Sequence, residues 1–429
     1  MAHNILWQIF FDRHQNWDKF VNRHDKRIRE VVKKEINKYR YCGDSKTGFK
    51  ILVCEGCHDI KMVPYRCKSR FCTTCSCGES EEWSRMMADD VIQTNHRHVI
   101  FTIDKNLRII FEKHRNLLKD LMDEATRMIR EYFQKKHKVM PGIIAGLHTF
   151  GSKLNFNPHV HMLVSMGGMK ETGEWKSYDF IPFTMLRMQW QTVVLKLIRK
   201  SITPEEKKKV QPLLQQAYVN NADGFYIYAP KQKGNFKEQL QYIGRYMRRP
   251  AIGINRIVAY DGEMVSFRYH DKNDGQEKIE TITAEEFIGR IIKHIPNEQF
   301  KVIRHYGIYS RRIKTLCKKL ITTCQKSVRK WLVKVKRLVK RNWSQRIKDQ
   351  TGKDPMVCPH CSNYYEYKGE VCLKEGKLTV KYAKDNMARA YLERMIDDIA
   401  GNEKEEDKEN RREANASTPN CSEVYMFSV

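Results

Sequence analysis

No apolar run in the 429-residue chain approaches the roughly 20 residues that a membrane-spanning helix needs, and this excludes an integral helical membrane protein. Met1 to Asp12 lacks the basic start, apolar centre and small-residue cleavage site of a secretory leader, so the expected compartment is the cytoplasm. No internal repeat is evident. Acidic residues are scarce beside basic ones: 51 Asp and Glu face 79 Lys and Arg, a formal charge of +28. A balance that basic points to nucleic acid, where neutralised phosphates and released counterions supply affinity, and no membrane partner is expected. The length allows two or more domains, each with its own core.

Thirteen cysteines in a reducing compartment point to metal ligands rather than disulfides, and they cluster. Cys54-Glu55-Gly56-Cys57 and Cys72-Thr73-Thr74-Cys75 are C-x-x-C pairs separated by fourteen residues, the spacing of a structural Zn2+ site held by thiolates. Cys54, Cys57, Cys72 and Cys75 are therefore the expected ligands. Cys42, Cys67 and His58 are alternates and, with Cys77, leave room for a second ion or a different quartet. Further on, Cys358-Pro359-His360-Cys361 with Cys372 reads as half of a second knuckle without a clear fourth ligand.

The other chemical signal is Asn157-Pro158-His159-Val160-His161-Met162. It reads as a β-strand entered through a proline, whose period of two puts His159 and His161 on one face and Val160 and Met162 on the other. Two imidazoles side by side can hold one cation. The chain has fifteen histidines and a second H-x-H, His96-Arg97-His98, so in isolation such a pair is more often ordinary strand histidines. His148 lies on the preceding apolar strand, Ile143 to Phe150. If the two strands pair as a hairpin, its imidazole arrives as a third ligand, the number a catalytic metal wants.

Around these motifs, residues 5 to 40 read as one or two amphipathic helices, Arg97 to Ile103 as a strand and Leu107 to Lys138 as a long helix. The histidine strand ends at Gly167-Gly168, residues 182 to 219 read as two helices, and Phe225 to Tyr228 as a short strand. This order argues for an α+β domain with an antiparallel sheet. In the next helix, about Phe236 to Arg248, Phe236, Leu240, Ile243 and Met247 make a core stripe. Tyr242 and Tyr246 stack one turn apart on another face, among Arg245, Arg248 and Arg249. Such a tyrosine pair is usually packing, but beside a histidine metal platform the balance reverses.

Together these pieces resemble the two-tyrosine HUH nucleases, specifically rolling-circle transposases of insertion-sequence-91 type with an N-terminal zinc-binding domain. The resemblance spans roughly residues 40 to 310. It is carried by Cys67-Lys68-Ser69-Arg70-Phe71-Cys72, His98-Val99-Ile100-Phe101-Thr102, Leu147-His148-Thr149-Phe150-Gly151, Pro158-His159-Val160-His161, Tyr242-Ile243-Gly244-Arg245-Tyr246 and Ile303-Arg304-His305-Tyr306-Gly307. Two departures bear on the zinc ligands: Thr73 stands where family members often have proline, and a histidine usual before the first knuckle is absent near Phe49. The resemblance implies a bacterial, DNA-associated protein that nicks single-stranded or hairpin DNA ends. It also implies Tyr242 and Tyr246 as nucleophiles, Mg2+ or Mn2+ on His159, His161 and His148, and a 5′-phosphotyrosine intermediate; self-association is also considered. A plasmid-type replication initiator or relaxase would use the same groups, and a zinc-dependent DNA-binding regulator with an idle nuclease centre is the non-enzymatic alternative.

The domains expected are an N-terminal helical segment (1–40), a zinc-binding domain (41–90), the HUH catalytic domain (91–308) and a basic amphipathic helical arm (309–350). A second cysteine knuckle (351–380) and a charged, partly disordered tail (381–429) would follow. In the arm, Lys334 and Arg337 are among the cations expected to track phosphates.

Overall fold

The structure, a computed structural model, describes residues 4–91, 94–178, 181–229, 244, 247, 250–271, 274–311 and 341–399. The chain divides into two compact units that are not consecutive in sequence. Met1–Arg40 and Lys68–Arg341 form the larger, and Tyr41–Cys67 joins Asn342–Val429 in the smaller. The stretch 41–90 is thus shared between units, where one zinc-binding domain was expected.

Three helices open the chain, α1 (Ile5–Phe11), α2 (Asn16–His24) and α3 (Glu30–Arg40), followed by a hairpin of β1 (Gly48–Cys54) and β2 (Ile60–Pro64). Then come α4 (Thr73–Asp90), β3 (His96–Phe101), α5 (Arg108–Lys113), α6 (Leu117–His137), β4 (Met140–Phe150), β5 (Phe156–Met169) and β6 (Trp175–Ser177). α7 (Phe183–Ser201), α8 (Pro204–Val219), β7 (Ile227–Tyr228), β8 (Ile257–Tyr260), β9 (Met264–His270) and β10 (Glu277–Thr283) lead to α9 (Ala284–Ile292) and β11 (Ile303–Gly307). The smaller unit resumes with α10 (Trp343–Thr351), β12 (Tyr365–Lys374), β13 (Lys377–Ala383) and α11, residues 386–399.

In the larger unit the principal sheet runs β11-β4-β5-β3-β7, with β6 also paired to β5, and β8, β9 and β10 make a second sheet. Every pairing among the described residues is antiparallel, so the fold is the α+β class expected. The sheet's two faces have different company. Val99, Phe101, Ile143, Ala145, Leu147, Val160, Met162 and Val164 point to the face filled by Leu121, Ala125 and Ile129 of α6 and Trp190 and Val194 of α7. Ile144 and Leu163 point the other way, to Met87 of α4 and to Met247. Strands covered on both sides explain why β4 and β5 are buried almost end to end.

Two local expectations differ from the structure. The helix foreseen from Leu107 to Lys138 is broken between α5 and α6, where the Arg115 guanidinium turns inward to donate to the carbonyls of Lys293 (2.8 Å) and Ile295 (3.2 Å). β5 also continues past Gly167 and Gly168 because β6 pairs with both.

The smaller unit is a sheet in the order β13-β12-β1-β2, so the N-terminal hairpin is completed by strands from the other end of the chain. Phe49, Ile51 and Val371 pack with Leu392 of α11, backed by Met395, Ile396 and Ile399. Residues 386–399 are therefore an ordered helix rather than the start of a disordered tail.

Candidate active site

β5 lies between β4 and β3, and register decides what meets on its polar face. His148 of β4 is opposite His159, Gly146 is opposite His161, and His98 of β3 is opposite Leu163. The hairpin thus brings His148, His159 and His161 together, with one ligand-capable nitrogen from each within 4.8 Å of the others. Ring centroids are 4.3 Å apart for His148 and His161 and 4.7 Å for His159 and His161.

Hydrogen bonds fix two of the tautomers. His159 Nδ1 lies 2.7 Å from the Asn157 carbonyl, which can only accept, so Nδ1 carries the proton and Nε2 the lone pair. His148 Nε2 donates to the Met247 carbonyl at 3.1 Å, leaving the lone pair on Nδ1. His161 Nδ1 is 3.0 Å from His98 Nε2. Burial holds His148 and His161 well below the ordinary imidazole range, and neighbouring histidines add to it. His98 is lowered to about 4, by burial first and then by His159. Neutral imidazoles are the ligand form, so the donor set suits a divalent ion whose metal–nitrogen bonds are about 2.1 Å.

The tyrosines Tyr242 and Tyr246 lie outside the described residues, as do Arg245, Arg248, Arg249, Lys334 and Arg337. Gly244 and Met247, from the same stretch, are described and helical. A Cβ on Gly244 would stand 2.7 Å from Met87 Cε and 3.0 Å from Ser84 Cα, so only glycine permits this approach to α4. A Cβ on Gly146 would stand 3.1 Å from Met247 Cε. The absent side chain opposite His161 is the space that Met247 occupies.

A cleft of about 420 Å3 opens beside His148, lined by Lys34, Lys38, Lys68, Arg70, Phe71 and Phe150 among others. Arg70 is close enough for its charge to help lower the His148 pKa, after burial and His159. Sequence reasoning left Arg70 with the zinc motif and gave His98 no role. The signs of His98 were the family-like stretch His98 to Thr102 and the second H-x-H, whose other histidine, His96, is spent on the Tyr309 hydroxyl (2.6 Å) and the Thr94 carbonyl (2.8 Å).

The cysteines are not grouped as expected. Cys54 and Cys57 adjoin Cys358 and Cys361, all within the smaller unit, rather than Cys72 and Cys75 of the larger. Sequence proximity favoured the nearest C-x-x-C, whereas the β1–β12 pairing delivers the distant one. Cys42 Sγ receives the Cys67 amide at 3.4 Å, Cys72 stands at the N-terminal cap position of α4, and His58 forms a turn with φ 59°. Cys372, on β12, lies near Thr379 and belongs to no quartet among the described residues.

Residues 142–319 match the family model described as "Putative transposase", and residues 12–103 match the model described as "Transposase zinc-binding domain". The transposase for insertion sequence element IS801 of Pseudomonas savastanoi pv. phaseolicola is 29% identical over 300 residues, 67% of this chain and 72% of that protein. The putative transposase y4qJ of Sinorhizobium fredii (strain NBRC 101917 / NGR234) is 27% identical over 291 residues, 63% of this chain and 72% of that protein. No solved structure matches. The three histidines fall inside the first matched span, while Cys358 and Cys361 lie outside both.

Proposed function

We propose that this chain, which belongs to the insertion-sequence-91 family of transposases and acts on DNA, nicks and rejoins single strands through a 5′-phosphotyrosine intermediate in rolling-circle transposition. The observation that carries this reading is the approach of Met247, next in sequence to Tyr246, to a cluster of three histidines: its carbonyl accepts from His148. Residues 68–341 would be the catalytic unit.

Mg2+ or Mn2+, held by His148, His159 and His161, would supply Lewis-acid polarisation of the scissile phosphate. Tyr242 or Tyr246, as the phenolate, attacks phosphorus; a tyrosine oxygen–phosphorus bond forms, the bond to the 3′-oxygen breaks, and that oxygen takes up a proton. The 5′-phosphotyrosine keeps the phosphodiester energy for rejoining, which attack by water would discard. Two tyrosines allow one to hold a strand while the other attacks a second, which strand transfer requires and simple nicking does not. Arg245, Arg248 and Arg249 would steady the phosphates near the reacting centre, and Lys334 and Arg337 would bind more remote ones. The cleft beside His148 suits a single strand, with Lys34, Lys38, Lys68 and Arg70 for phosphates and Phe71 and Phe150 for bases.

The test incubates purified protein and Mn2+ with end-labelled single-stranded oligonucleotides drawn from the DNA flanking the gene. Protein covalently attached to the 5′ side of the nick is the expected product. It should survive in Tyr242→Phe and Tyr246→Phe singly, through the remaining phenol, and vanish in the double variant. Cleavage without an adduct, or an adduct in the double variant, would refute the reading. An adduct confined to one tyrosine, with the other variant transposing normally, would reduce the protein to a single-tyrosine nuclease of the initiator or relaxase kind.

A further inference from the structure

The cysteines of the smaller unit make two copies of one backbone motif. In Cys54-Glu55-Gly56-Cys57-His58-Asp59 the Cys54 amide donates to the Asp59 carbonyl (2.8 Å), the His58 amide returns to the Cys54 carbonyl (3.1 Å), and the Gly56 amide points at Cys54 Sγ (3.4 Å). In Cys358-Pro359-His360-Cys361-Ser362-Asn363 the Cys358 amide donates to the Asn363 carbonyl (2.8 Å), the Ser362 amide to the Cys358 carbonyl (3.0 Å), and the His360 amide to Cys358 Sγ (3.4 Å). The residue after the second cysteine is left-handed in both, His58 at φ 59° and Ser362 at φ 63°. Side chains rarely adopt that conformation outside glycine, so its occurrence at equivalent places marks a shared constraint.

The two knuckles face each other. Cys54 Sγ is 3.3 Å from Cys361 Sγ, and Cys57 Sγ is 3.5 Å from Cys358 Sγ. These separations are far beyond the roughly 2.05 Å of a disulfide and near the edge of about 3.8 Å that bonds of about 2.3 Å give a tetrahedral zinc thiolate. Amide hydrogens aimed at sulfur favour the thiolate, the form that binds metal. Gly56 is part of the fit: a Cβ there would stand 2.0 Å from Asn363 Nδ2 of the opposite knuckle.

We propose that Cys54, Cys57, Cys358 and Cys361 bind one structural Zn2+, so that a zinc site of this protein is built from segments about 300 residues apart and extends beyond the zinc-binding domain matched at residues 12–103. The ion ties β1 and β2 to the approach to β12. It has no part in the chemistry at the histidines, so the proposal stands whether or not the phosphotyrosine reading holds.

Zinc-loaded full-length protein is labelled with iodoacetamide, before and after stripping with EDTA, and the labelled cysteines are mapped by mass spectrometry. Cys57 and Cys361 are exposed and would react readily as free thiols. Protection of both in the loaded protein, and their release together on stripping, is the expected result. Labelling of Cys361 in zinc-loaded protein at its stripped rate would overturn the proposal. In metal analysis, Cys54→Ser and Cys361→Ser should each lose one zinc ion per chain and the double variant no more, whereas Cys372→Ser should lose none. Full zinc content in Cys361→Ser would likewise refute the site, and the labelling on unmutated protein decides the matter even if that variant fails to fold.

Discussion

Replacing His98 tests the histidine cluster without touching any of the three histidines proposed to hold an ion. A neutral imidazole has one proton, and His161 Nδ1 is engaged with His98 Nε2 at 3.0 Å. His161 would therefore ligate an ion through Nε2, which requires the proton on Nδ1 and an acceptor for it on His98. His98→Leu removes the acceptor at a place where both rings are buried, His161 fully and His98 to 8% exposure. Either a buried N–H goes unsatisfied, at about 1–3 kcal/mol, or His161 adopts the tautomer that cannot ligate. Loss of such an outer partner lowers metal affinity about 10- to 100-fold, equivalent to about 1.4–2.8 kcal/mol. Titration of the full chain with Mn2+, followed by electron paramagnetic resonance, reads this directly. His98→Leu should weaken binding by that factor and recover cleavage as Mn2+ is raised, while His98→Gln, whose amide oxygen can accept, should stay near wild type. Unchanged Mn2+ affinity in His98→Leu would refute the reasoning. Equal damage from Gln and Leu would show that ring packing, not the acceptor, is what His98 supplies.

On the proposed reading, His159→Ala should abolish strand cleavage while leaving DNA affinity within about twofold in a gel-shift assay, because the ion would act on the transition state and the basic surfaces would supply binding. Gly146→Val should push against Met247, already 3.1 Å from a notional Cβ, costing about 1–3 kcal/mol in thermal unfolding and slowing cleavage by displacing the Met247 carbonyl from His148. For Glu82, burial opposes the charged form, but hydrogen bonds from Arg85 and Arg341 outweigh it and lower the carboxyl from 4.5 to about 2. A folded-state pKa below the unfolded one contributes stability above about pH 4.5 that is lost as pH falls toward 2. Glu82→Gln should flatten that acid-side loss in melting temperature measured against pH and cost about 1–3 kcal/mol at neutral pH.

The sequence made the histidine strand legible because alternation is a local property: Val160 and Met162 fix which way His159 and His161 face, although the strand begins at Phe156 rather than at the proline. His148 was within reach because consecutive strands commonly pair. His98 was not, since its partnership with His161 crosses strands 63 positions apart and leaves no spacing to read. The partners of Cys54 and Cys57 were missed for the same reason at greater range. Arg115 breaks a strongly periodic helix through a tertiary contact that periodicity cannot report. α11, by contrast, carried a usable signal in Leu392, Met395, Ile396 and Ile399, at helical spacing within a stretch whose charges drew the eye to disorder.

The interleaving of the two units bears on how the protein is made. Residues 68–341 are complete when the ribosome passes them, but β1 leaves the exit tunnel about 300 residues before the strand that flanks it. At about 5–20 residues per second, its open edge and the Cys54 and Cys57 thiols wait for roughly 15–60 seconds, exposed to stray pairing and to the wrong metal. The smaller unit is therefore the last to mature, although its first segment is among the first to be synthesised. A message cut short anywhere between Arg341 and Cys358 would yield all of residues 68–341 attached to an N-terminal hairpin that never gains its flanking strand.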